Sequence, residues 1–246
     1  MKIPVSHGHL EAALREPRGE VQGGAVFCHP HPLYGGTMHT KAVYRAAEAL
    51  NAAGLRTLRF NFRGVGCSTG TFDDGLGEEE DVRAALGWLR LGLPRSPSVL
   101  GGASFGSMVA LGVGVDEPDV VALVALGLPI QMYDYSYLAR TSKAVLAIQG
   151  ERDQFGSPRE VEEALGGLGD HVTIRIVPGA RHLFQEHIGE LQDILTGYFT
   201  DGPGKHAMDR WHEAGRSSEE GAVTGGDSTG GRASPGASGQ PGEELP

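Results

Sequence analysis

The chain has 246 residues, a formal net charge of −10 and 39% hydrophobic residues. That length suits one large α/β domain or two small ones. An acidic chain without a Lys/Arg cluster or basic stripe disfavours a nucleic-acid partner, because phosphate binding needs concentrated positive charge.

The N-terminal "MKIPVSHGHLEAALREP" lacks the apolar core of a signal peptide. No run of about 18 apolar residues occurs, so no membrane span is expected. Cys28 and Cys67 show no framework spacing and are expected to be reduced thiols of a cytoplasmic protein.

In chain order, "KIPVS" and "HLEAALRE" suggest an antiparallel edge hairpin. Short apolar runs follow at 23–28, 55–62, 98–103, 120–128, 143–150 and 172–179. They are nearly continuous in apolar residues, as strands covered on both faces tend to be. Helical patterns alternate with them at 38–54, 77–92, 106–115, 157–169 and 186–200. The first ends in Gly54, which suits a helix C-cap, and the second opens on carboxylates, which favour a helix N-terminus. Strands alternating with helices predict βαβ units and a mostly parallel sheet flanked by helices.

From residue 201 onward Gly, Ser, Pro and charged residues dominate, with no periodic apolar face. Such a segment cannot bury enough surface to offset its ordering entropy. Residues 1–200 are therefore expected to fold and residues 201–246 to form a disordered tail, with at most a short helical piece around 208–214.

In open parallel sheets, ligands bind beyond the carboxyl ends of the strands. The pattern G-x-S-x-G, which marks a nucleophilic serine on a tight strand-to-helix turn, occurs in this chain around Ser104, Ser68 and Ser228. Only Ser104 lies between a strand, "SVLGGA", and a helix, "GSMVALGVG". Five residues separate Ser68 from its strand, and a loop follows it; Ser228 falls in the tail.

A serine nucleophile needs a base, and the base needs an orienting acid. After Ser104, "AIQGERDQF" puts Asp153 just past a strand, and "RIVPGARHLF" puts His182 just past the last one. Glu151 and Asp134 are the alternative acids. His187 falls too far into the next helix, and His171 precedes the last strand at its wrong end. The expected catalytic set is Ser104, Asp153 and His182.

An oxyanion needs preorganised donors. One is expected from the Phe105 backbone N–H and the second from "CHPHPLYGG". Pro30 and Pro32 have no N–H, so His31 is favoured, with Leu33 as the runner-up. The same loop raises a metal site, because His29 and His31 form a His-x-His pair with His39, His7 and His9 elsewhere. No Asp or Glu accompanies the pair locally, so neither a metal nor another cofactor is expected.

Taken together, "HPHPLYGGTM", "LRFNFRGVGCSTG", "GASFGS", "QGERDQF" and "GARHLF" resemble the small bacterial α/β-hydrolase proteins close to the dienelactone-hydrolase and carboxylesterase branch. The resemblance covers about residues 1–200 and implies an α/β-hydrolase fold. It implies serine hydrolase activity, with Ser104 matching the nucleophile, Asp153 the acid, His182 the base and the His31 region the oxyanion loop. Dienelactone hydrolases proper use a cysteine nucleophile, and Ser104 stands there in this chain.

Larger α/β-hydrolases insert a cap domain where this chain has only residues 130–142. An open site is expected, partly covered by the segment 132–137 and lined by Tyr34, Phe105, Met132, Tyr133, Phe155 and Leu183. The expected activity is hydrolysis of a small carboxylic ester, thioester or lactone through an acyl-enzyme. The alternatives are a serine peptidase of the same fold and a non-catalytic hydrolase-fold binding protein. The expected partner is a small-molecule ester-type substrate, and the pattern implies no oligomeric state.

Overall fold

β1 (Lys2–Val5) and β2 (Gly8–Arg15) form an antiparallel hairpin, and β2 lies antiparallel on β4 (Leu55–Phe60). The other neighbours in the sheet are parallel: β3 (Gly23–Cys28), β5 (Ser98–Ala103), β6 (Val120–Leu126), β7 (Ala144–Gly150) and β8 (Val172–Val177). The computed structural model describes residues 1–224. Within them the eight strands run in the order β1-β2-β4-β3-β5-β6-β7-β8.

β3, β5 and β7 are buried at every position, which is why they carry apolar or small residues throughout. One face of the sheet is covered by α1 (Lys41–Ala52) and α5 (Ile188–Thr200). Their buried stripes, Ala42, Val43, Ala46, Ala49 and Leu50 on α1 and Leu191, Leu195 and Phe199 on α5, join one apolar cluster. The other face is covered by α2 (Leu76–Leu91), α3 (Phe105–Asp116) and α4 (Pro158–Leu165).

The sheet order reverses at β3, whose chain crosses to β4 on one side while β5 lies on the other. The loops leaving β3 and β5 therefore diverge and leave a crevice at the carboxyl ends of the strands. The link from β6 to β7 contains only a short 3-10 turn, Ser136–Arg140, and no cap domain.

Helical structure continues past the expected boundary at residue 200. α6 runs from Pro203 to Thr224. Its first turns are anchored because Ala207 and Met208 are 6% and 4% exposed in the α1/α5 cluster. A Cβ on Gly23 would come 2.5 Å from Met208 Cε, so the bare glycine makes room for that side chain. Two apolar residues in a polar stretch gave no periodic signal, and the His212 ring on Gln22 O (2.9 Å) adds a polar contact to theirs. Residues Met1–His212 form one compact unit; in the second, Glu213–Pro246, the described residues are helical. Ser228 and the rest of 225–246 lie outside the described residues. No helix among the described residues is long and apolar enough to cross a membrane.

Candidate active site

Ser104 follows β5 and caps α3 with φ 54° and ψ −126°. A non-glycine residue held in such a backbone conformation costs roughly 1–3 kcal/mol. The turn closes because its neighbours have no side chains: a Cβ on Gly102 would collide with Gly106 O, and one on Gly106 with His29 O. Hydrogen bonds hold the strain. Ser104 N–H donates to Leu126 O (2.8 Å), and the Ser107 hydroxyl donates to Ser104 O (2.7 Å). The buried Tyr135 hydroxyl lies 3.1 Å from Ser107 Oγ and completes this support.

His182 follows β8 and brings Nε2 to 2.8 Å from Ser104 Oγ. Its Nδ1 lies 2.8 Å and 3.0 Å from the two carboxylate oxygens of Asp153, just past β7. The Asp153 side chain is fully buried and that of His182 is 10% exposed. A carboxylate accepts, so Nδ1 carries the proton and Nε2 is left to accept from the serine hydroxyl. Phe155 packs edge-on against the imidazole at 4.6 Å between ring centroids. Its N–H donates to Asp153 Oδ1 (2.9 Å).

The alternative acids are engaged elsewhere. Glu151 accepts from Gly179 N–H, and Asp134 closes a local turn onto Ser136. Ser68 is a pin: its hydroxyl donates to Asn61 O and accepts from Glu11 N–H, tying its loop to β2. His187 lines the site but pairs with Glu190.

The loop after β3 separates the two candidate oxyanion donors. Leu33 N–H donates to His31 Nδ1 (3.2 Å), and Tyr34 N–H donates to His31 O (3.1 Å). His31 N–H and Phe105 N–H have no hydrogen-bond partner among the described residues. His29 is fully buried, with Nδ1 on Pro30 O (2.6 Å) and Nε2 accepting from Phe62 N–H (3.0 Å). Burial pushes its pKa down to about 4 against the opposing hydrogen bond to Pro30, so the ring is neutral. Three of the four ring nitrogens of the His29/His31 pair are thus taken by backbone.

A cavity of about 430 Å³ opens over Ser104 and His182. Tyr34, Met132, Tyr133, Phe155, Leu183, Phe105 and His31 all line it. Tyr34 and Met132 stand at the mouth, 83% and 55% exposed. The segment 132–137 divides: Met132 and Tyr133 face the cavity, whereas Tyr135 and Tyr137 turn away and hydrogen-bond to Ser107 and to Met108 O on α3.

Five lining residues, Pro129, Gln154, Arg181, Gln185 and Glu186, and two that support the Ser104–His182–Asp153 line carry no signal in the motifs. Gly127, after β6, has φ +58° and packs against His182. Gln149, on β7, is fully buried and donates to Asp153 Oδ2 (2.9 Å). A polar residue inside an otherwise apolar strand was the available signal, because buried polar groups need partners.

The family model described as "Alpha/beta hydrolase domain" matches residues 26–192. An uncharacterized protein of Rickettsia prowazekii is 37% identical over 183 residues, 71% of this chain and 77% of the relative. An alpha-beta serine hydrolase homologue from Coxiella burnetii superposes with a TM-score of 0.76 at 34% identity, covering 80% of this chain and 94% of that one. A lidless a/b serine hydrolase from Xanthomonas campestris superposes at 0.75 with 32% identity, covering 86% and 93%. The family match spans the sheet from β3 to α5, including every strand end that carries the site, and this chain belongs to the alpha/beta hydrolase domain family.

Proposed function

We propose that this protein is a serine hydrolase that cleaves small carboxylic esters, thioesters or lactones through an acyl-enzyme. The observation that carries this reading is the unbroken hydrogen-bonded line from Ser104 Oγ through His182 to Asp153 beneath an open, mainly apolar cavity. Ser104 Oγ attacks the substrate carbonyl while His182 Nε2 takes its proton. The C=O electron pair moves to oxygen, where the N–H groups of Phe105 and His31 are the free donors. Collapse breaks the bond to the leaving group, which receives the proton from His182. Water then attacks the acyl-enzyme, with His182 again as base, and frees the acid and Ser104. Asp153 holds the imidazole in the required tautomer and stabilises the imidazolium.

The missing cap and the exposed mouth favour short or small acyl groups. The lidless serine hydrolase from Xanthomonas campestris supports a site of this open kind. The test is turnover of short-chain p-nitrophenyl esters beside matched peptide anilides. Esters should be cleaved and Ser104→Ala should lower kcat at least ~10³-fold. Retained turnover in the variant would contradict the serine mechanism, and a preference for anilides would replace the esterase reading with a peptidase.

A further inference from the structure

Gln149 is the one polar side chain of β7, and it is fully buried. A primary amide in such a place must satisfy an acceptor oxygen and two N–H groups. Gln149 Oε1 accepts from Leu128 N–H (2.7 Å), just beyond the end of β6. Its Nε2 lies 2.9 Å from Asp153 Oδ2, 2.7 Å from Gly156 O and 3.3 Å from Leu128 O. The two short contacts use the two N–H groups, and the long one is at most shared.

One side chain therefore grips three points: the backbone after β6, the carboxylate of Asp153 and the far end of the loop that carries Asp153. The carboxylate is held from both sides, by Gln149 on Oδ2 and by the Phe155 N–H on Oδ1. Two fixed donors on different oxygens set the plane of the carboxylate. His182 Nδ1 meets that plane at 2.8 Å and 3.0 Å. Leu or Val would fill the strand position without any such constraint, so burial alone does not account for an amide.

We propose that Gln149 is a positioning residue that orients the Asp153 carboxylate toward His182, and that it acts on turnover through Asp153 rather than on substrate binding. The proposal rests on the triad reading above. A side chain that fixes the acid should change kcat and leave KM nearly untouched, because it does not line the cavity.

The test is a double-mutant cycle on p-nitrophenyl butyrate hydrolysis with Gln149→Leu and Asp153→Asn. Gln149→Leu should lower kcat roughly 10- to 100-fold in the otherwise unchanged protein, the scale expected for a misplaced catalytic group. It should lower kcat less than about twofold when Asp153 is already Asn. Equal losses in both backgrounds would overturn the proposal and leave Gln149 as a loop brace. An Asp153→Asn variant with unimpaired kcat would instead contradict the triad, and with it this proposal. If Gln149→Leu does not fold, Gln149→Met, an unbranched side chain of similar length that lacks the amide, replaces it in the same cycle. A kcat loss confined to the Asp153 background supports the proposal, and equal losses in both backgrounds overturn it.

Discussion

Gly127 and His182 are in contact through atoms that leave no room for a side chain. A Cβ on Gly127 would stand 2.5 Å from His182 O and 3.1 Å from its Nδ1, and 3.4 Å from Asp153 Oδ2. Gly127 N–H also donates to Ile148 O (2.9 Å), so the glycine cannot drift away from the site. Gly127→Ala adds about 1–2 kcal/mol of left-handed strain and pushes the imidazole out of line. The expected outcome is a kcat lower by roughly 10- to 100-fold, with KM changed little. Steady-state kinetics on the folded variant check it, and an unchanged kcat would show that the imidazole tolerates displacement.

His29 predicts a specific loss of stability in acid. Its folded-state pKa is pushed down to about 4 by burial, whereas a free histidine titrates near ~6.5. At neutral pH both states hold the ring neutral. Below about 6.5 the unfolded chain binds a proton that the folded chain refuses until about 4. Stability should therefore fall as pH drops across that window, by up to ~3 kcal/mol from this residue. Urea unfolding at pH 7 and pH ~4.5 measures the loss. His29→Asn should start less stable and lose less on acidification; an equal loss would assign the effect to other groups.

The apolar mouth predicts chain-length selectivity. Tyr34 and Met132 come from the loops after β3 and β6 and line the same cavity. Tyr34→Ala or Met132→Ala should raise KM for p-nitrophenyl hexanoate roughly 5- to 30-fold, corresponding to about 1–2 kcal/mol of lost apolar contact. The acetate ester, too short to reach them, should be affected much less. Equal effects on both esters would remove these side chains from the acyl or leaving-group wall.

α6 predicts that part of the C-terminal segment stabilises the domain without serving the chemistry. Met208 is 4% exposed against Gly23 and is not among the residues that line the cavity. Met208→Ala should cost about 2–4 kcal/mol by urea denaturation and leave kcat unchanged. A neutral effect on stability would show that the contact of Met208 with Gly23 adds nothing to the fold.

Much of this was legible in the chain itself. The strand bounds at residues 23–28 and 98–103 agree with β3 and β5 because those strands are buried on both faces and read as unbroken apolar runs. The order Ser104, Asp153, His182 was legible because each lies just past a strand, where a parallel sheet places its ligands. Other features depend on partners distant in sequence. Gly127 is one glycine among 39, and its meaning lies in a contact with residue 182. The choice of His31 over Leu33 as free donor turns on how the imidazole of His31 folds back onto the next N–H, which no spacing reveals. The apolar contact of α6 comes from Ala207 and Met208, too few residues to make a periodic pattern, with the His212 ring on Gln22 O adding a polar contact.

The proposed mechanism makes Ser104 the one activated serine. Treatment of the native protein with a fluorophosphonate probe, followed by mapping of the adduct by mass spectrometry, tests it most directly. A single adduct on Ser104 that disappears on heat denaturation and in His182→Ala is expected. An adduct on Ser68 or another serine, or none on a folded protein with a free site, would contradict it.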